Sequence, residues 1–84
     1  MVKILDASAL MAYLEKEPGH EKVRDFLATA AENDKNLLMT TVNFGEVYYL
    51  IVREKGAQEA ETILQFLQTL PIDIVPVDWE LAKQ

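Results

Sequence analysis

Cysteine is absent from these 84 residues, which removes disulfides and thiolate metal sites from consideration. Glycine and proline occur three times each, too rarely for a low-complexity or disordered chain. Long apolar runs are also missing. Stretches such as Val47 to Val52 fall far short of the roughly 20 residues that a membrane span needs. The N-terminus has no basic stretch leading into an apolar run, so nothing resembles a secretory signal, and the expected location is the cytoplasm. Positive charge is scarce too: 8 Lys and Arg stand against 14 Asp and Glu, a formal net charge of -6. That balance argues against a broad basic surface for nucleic acid. It leaves open an enzyme that gathers carboxylates around divalent cations, because the ion then supplies the positive charge facing a phosphate.

What is present is a hydrophobic half of the chain, patterned for alternating elements. A strand at Val2 to Leu5 precedes a helix from about Ser8 to Glu15, which Pro18-Gly19 closes off. Val23, Phe26, Leu27 and Ala30 fall at helical spacing, and the polar run Asn33 to Asn36 ends that helix before a strand at Leu37 to Thr40. The next helix carries Phe44, Val47, Tyr48 and Ile51 on one face and ends near Gly56. Another follows with Ala60, Ile63, Leu64 and Leu67 facing inward, and Pro71 stops it. Ile72 to Val75 reads as a third strand. Asp78 reads as the N-cap of a further helix bearing Trp79, Leu81 and Ala82.

The order strand, two helices, strand, two helices, strand predicts an α/β fold with a parallel sheet and right-handed crossovers. The expectation is one domain over residues 1–84, a three-layer α/β/α arrangement with three strands and four to five helices. Three short strands leave sheet faces and edges uncovered. The domain is therefore expected to be incomplete at its C-terminal end, with residues beyond Gln84 or another chain completing it.

Two acids stand out. Asp6 follows the first strand directly, and open parallel sheets bind their ligands at the carboxyl ends of their strands. Glu46 lies in the later helix that opens Thr41-Val42-Asn43-Phe44-Gly45-Glu46. Each also has a plain structural explanation. An Asp before a helix is a favoured N-cap, and Asn43 to Glu46 has the spacing of a capping box. Gly45 favours a functional reading of Glu46, because a poor helix former there permits close approach of backbone or ligand. Ser8 and Thr41 are either caps or hydroxyls that steady the two acids and a metal's water shell.

The hydrophobic strand, Asp6-Ala7-Ser8-Ala9-Leu10, then Thr41-Val42-Asn43-Phe44-Gly45-Glu46-Val47, then a Pro71-flanked strand, together resemble a PIN domain of the VapC toxin type over the whole chain. The resemblance implies a magnesium-dependent, or manganese-dependent, endoribonuclease of a toxin–antitoxin system. Asp6 and Glu46 would be the first two of the family's four acidic positions, serving as catalytic residues and metal ligands, with Ser8 and Thr41 supporting them. The third and fourth acids belong to the family's C-terminal portion. This chain alone is accordingly expected to be silent toward RNA. Its expected partners are an RNA substrate, a cognate antitoxin protein and a second copy of itself, as a homodimer or a strand-exchanged oligomer that buries the Val2 to Leu5 edge.

Two other classes compete. A non-catalytic α/β binding module would use Asp6 and Glu46 only as caps and would be indifferent to magnesium. A phosphatase with Asp6 as nucleophile, similar to the haloacid-dehalogenase group, would want Asp-x-Asp or Asp-x-Thr where this chain has Asp6-Ala7-Ser8, and no partner lysine segment is visible. His20, the one histidine, reads as a surface residue at a helix start. Phe44 and Tyr48 read as core or interface. Tyr13, Tyr49 and Trp79 remain candidate partner contacts.

Overall fold

The computed structural model describes residues 3–77. Val2 and the proposed helix at Asp78, with Trp79, Leu81 and Ala82, lie outside the described residues. The chain runs α1 (Ala7–Glu15), α2 (His20–Glu32), β1 (Leu37–Thr40), α3 (Thr41–Lys55), α4 (Ala57–Leu67) and β2 (Ile72–Val75). The fold is α/β, with four helices and a parallel two-stranded sheet among the described residues.

Of the expected first strand at Val2 to Leu5, the described part is Lys3 to Leu5. Ile4 forms a single parallel bridge to Leu38, tied by Leu5 N–H donating to Leu38 O at 2.7 Å and Leu38 N–H to Lys3 O at 2.9 Å. Those bonds place Lys3 to Leu5 on one side of β1, while β2 pairs on the other with Leu37 opposite Ile72 and Thr40 opposite Val75. Pairing ends after Leu5 because α1 begins at Ala7, just past the extended N-cap Asp6.

Burial follows helical and strand periods. Val23, Leu27 and Ala30 on α2, Val47 and Ile51 on α3, and Ala60 and Leu67 on α4 are buried at three- and four-residue intervals or their sums. On β1 the alternation places Leu37 and Met39 inward and leaves Leu38 and Thr40 half-buried. Leu10, Met39 and Val47 are the largest fully enclosed side chains, joining α1, β1 and α3 in one core.

A single residue connects α3 to α4. Gly56 caps the first and starts the second at φ 90° and ψ 163°, a region almost restricted to glycine. Its N–H donates to Val52 O at 2.9 Å and its carbonyl accepts from Ala60 N–H at 3.1 Å. Gly56→Ala should therefore destabilise the fold by about 1–3 kcal/mol, although there is open space for the added methyl group. Urea denaturation checks this; a loss below about 0.5 kcal/mol would show that the backbone relaxes at no cost.

Candidate functional site

Asp6 is the N-cap of α1: its backbone is extended at φ -94° and ψ 171°, and its Oδ1 accepts the Ala9 N–H at 2.8 Å. The structural explanation of this residue is thus correct as far as it goes. A carboxylate has two oxygens and about four lone-pair sites, so capping leaves room for a cation.

The N-cap of α3 is Thr40, the last residue of β1, whose hydroxyl accepts from Asn43 N–H at 3.1 Å. This corrects the expectations for two residues. Thr41 is the exposed first residue of the helix, not its cap. Asn43 sits in the third helical position, so Asn43 to Glu46 is not a capping box, and Glu46 falls in the second turn as an exposed residue. The reason is the strand: β1 runs in extended geometry through Thr40, so the first residue free to cap lies three before Asn43. The account of Glu46 as a mere cap does not survive. A module built on two capping acids has only Asp6.

Register relates the two helix starts. Ile4 stands opposite Leu38, and two residues further along each segment come Asp6 and Thr40. Both N-caps therefore lie at the carboxyl edge of neighbouring parallel segments, and α1 packs against α3. Neither helix has an acidic residue in its first turn, so the partial positive charge of both N-termini is left for an anion or for Asp6. Glu46 lies six residues beyond Thr40, roughly 9 Å along α3 at 1.5 Å per residue. Ser8 is exposed in the first turn of α1.

Carboxylate oxygens from Asp6 and Glu46 suit a hard divalent cation that keeps most of its water. They do not suffice for a pair of ions: no group of three His, Cys, Asp or Glu side chains converges among the described residues. A cleft of about 460 Å³, lined by Lys3, Phe26, Thr29 and Lys35, opens at the opposite, amino-terminal ends of the strands. Neither acid borders it.

One acidic pairing was not apparent from the sequence. Glu15, at the end of α1, has its carboxyl pushed above the ordinary value of 4.5, first by a side-chain hydrogen bond with Glu54 near the end of α3 and then by the charge of that residue. Slight desolvation and Glu17 add to the rise, and Lys55 opposes it. The folded chain binds this proton more tightly than the unfolded one. Its stabilising effect is complete below about pH 4.5 and is lost as the pH rises through the higher folded value. Glu15→Gln should raise the Tm slightly at neutral pH and flatten the Tm–pH profile above pH 4.5. Melts across that range decide it, and an unchanged profile would remove the pairing. His20, by contrast, behaves as expected: it opens α2, with its Nδ1 3.0 Å from Glu17 O.

Among the described residues no helix is long and apolar enough to cross a membrane. A family model described as PIN domain matches residues 3–84. No curated protein and no solved structure matches the chain.

Proposed function

This chain belongs to the PIN-domain family, and from that premise we propose that it is a magnesium- or manganese-dependent endoribonuclease of the VapC toxin type, with Asp6 and Glu46 as its first two metal-binding acids. PIN domains are in general nucleases, typically using divalent metals. The observation that carries the assignment to these residues is the alignment of two N-caps, Asp6 and Thr40, at the carboxyl edge of adjacent parallel segments. That is where parallel sheets place ligands.

Each residue contributes something specific. Asp6 holds the start of α1 with one oxygen and offers the other to a cation. The N-termini of α1 and α3 favour a phosphate group beside it. Glu46, free of any capping duty, extends the carboxylate set along α3. A divalent ion held there would supply Lewis acidity toward the phosphodiester and activate water for attack. Two carboxylates hold one such ion mainly through water, so binding through Asp6 and Glu46 by themselves is weak and these two acids alone do not suffice for cleavage. Cleavage belongs to a form supplying the family's further acids. As a toxin it would work in the cytoplasm, opposed by a protein antitoxin and paired with a second copy.

The test is cleavage of labelled RNA by that form in MgCl₂ and in EDTA, with cleavage only in the first. Cleavage in EDTA would end the metal-dependent reading. For Glu46, the Glu46→Gln chain should keep its fold and lose at least about tenfold in Mn²⁺ affinity, since even groups behind a ligand are worth that much. Isothermal titration yielding an unchanged affinity would remove Glu46 from the site.

A further inference from the structure

We propose that the outer stripe of α3, from Val42 through Gly45, Glu46 and Tyr49 to Arg53, is the track on which single-stranded RNA lies, with Tyr49 stacking a base and Arg53 holding a phosphate. The proposal rests on the nuclease reading of Asp6 and Glu46, and extends it by assigning the residues that position substrate. These five residues recur at three- and four-residue intervals, so they share one face of the helix. That face is not spent on the core, because α3 buries Val47 and Ile51 on another side. Tyr49 is 61% exposed and Val42 68% exposed, unusual for side chains of their type in a helix that packs on four other elements.

Arg53 lies with its guanidinium 5.8 Å from the centre of the Tyr49 ring. A cation at that distance is attracted to the ring face and steadies it, while the planar fork of Arg53 keeps donors for phosphate oxygens. Tyr49 is one helical step beyond Glu46, and Arg53 roughly 10 Å beyond it. A base and a phosphate next to a cleavage point at Glu46 fall within that span. Arg53 and Lys55 are the basic residues of the last turn of α3, and the first turn carries no acid.

Gly45 supplies an independent argument. It lies inside a helix, where glycine is a poor former, and a Cβ added there would meet nothing within 4 Å. Packing within the described residues therefore does not require it. Its place on the stripe beside Glu46 is explained if a ligand approaches the helix backbone closely. Single-stranded RNA is favoured over a second protein copy by composition: one ring, one valine, a glycine, an acid and an arginine make a stacking platform with a phosphate anchor rather than an apolar interface.

The experiment measures fluorescence anisotropy of a short, mixed-sequence, labelled single-stranded RNA with the chain in MgCl₂ across a salt series. Tyr49→Ala should weaken binding about tenfold, and Tyr49→Phe, which keeps the ring, should restore it. Arg53→Gln should reduce the salt slope by about 0.7, the value of one phosphate contact on a single strand. Gly45→Ala should raise the Tm and weaken RNA binding, two effects that a purely structural role would not combine. Affinity unchanged in Tyr49→Ala and Arg53→Gln overturns the proposal. So does a wild-type chain that binds no RNA while Mn²⁺ still broadens the Asp6 amide signal, an outcome that spares the nuclease reading. Should sedimentation show these variants dissociating a dimer with RNA affinity intact, the stripe belongs to a second copy and the proposal falls. An Asp6 amide signal untouched by Mn²⁺ marks the failure of the nuclease reading itself, and the RNA track falls with it.

Discussion

In a form that supplies the family's further acids, Asp6→Asn abolishes magnesium-dependent RNA cleavage and leaves the thermal midpoint close to that of the parent. The substitution separates the two duties of one side chain. Asn caps helices about as well as Asp, so the bond from Ala9 N–H to the side-chain oxygen at position 6 is kept. What is lost is a negatively charged oxygen donor, and hard divalent cations select for that donor. Because the cap persists, a folded but inactive variant is the expected result, and circular dichroism alongside the cleavage assay checks both halves. Full activity in Asp6→Asn would reduce Asp6 to a cap.

The largest effect on stability is expected from Leu10→Ala. Leu10 is fully enclosed in one core cluster with Met39 and Val47, and its helix packs on both α2 and α3. Truncating such a leucine costs about 2–5 kcal/mol through lost burial and the cavity left behind. A domain of this length has a total stability of roughly 4–13 kcal/mol. The variant is therefore expected to be partly unfolded at 37 °C, and urea denaturation measures the loss. Since Leu10 anchors α1, the same change should loosen Asp6 and weaken metal binding along with the fold. A loss under about 1 kcal/mol would mean that Leu10 is not at the centre of the core.

Most element boundaries were legible because punctuation and periodicity agree. Leu37 to Thr40 and Ile72 to Val75 are strands with the expected limits, bracketed by Asn36 and Pro71 at their starts. The helix from Thr41 to its end beside Gly56 was equally plain, since a glycine follows the last apolar residue at helical spacing. For the first strand, apolar content marks Val2 to Leu5 as strand-like; pairing depends on neighbours that composition does not reveal, and among the described residues Ile4 bridges Leu38. Tyr48, assigned to the inner face of α3, is 37% exposed and sits at the rim of that face.

Capping was harder to read than periodicity. Thr40, Thr41 and Asn43 are all good caps, and which one serves is decided by where extended backbone stops, a tertiary matter settled by pairing with β2. A Thr closing a strand three residues before Asn was the available signal. The Glu15 and Glu54 contact had none, because residues 39 positions apart meet only through the packing of α1 on α3. Of the site, Asp6 was legible from its strand-end position. The placement of Thr40 beside it required the register.

The most direct measurement is site-resolved Mn²⁺ titration of the ¹⁵N-labelled chain, read as paramagnetic broadening of amide signals. The account predicts early broadening at Asp6 to Ala9 and at Gly45 to Val47, and its loss at both places in Asp6→Asn. Broadening that appears first around Glu15, Glu17 and Glu54, at the far ends of α1 and α3, with Asp6 unaffected, would contradict it.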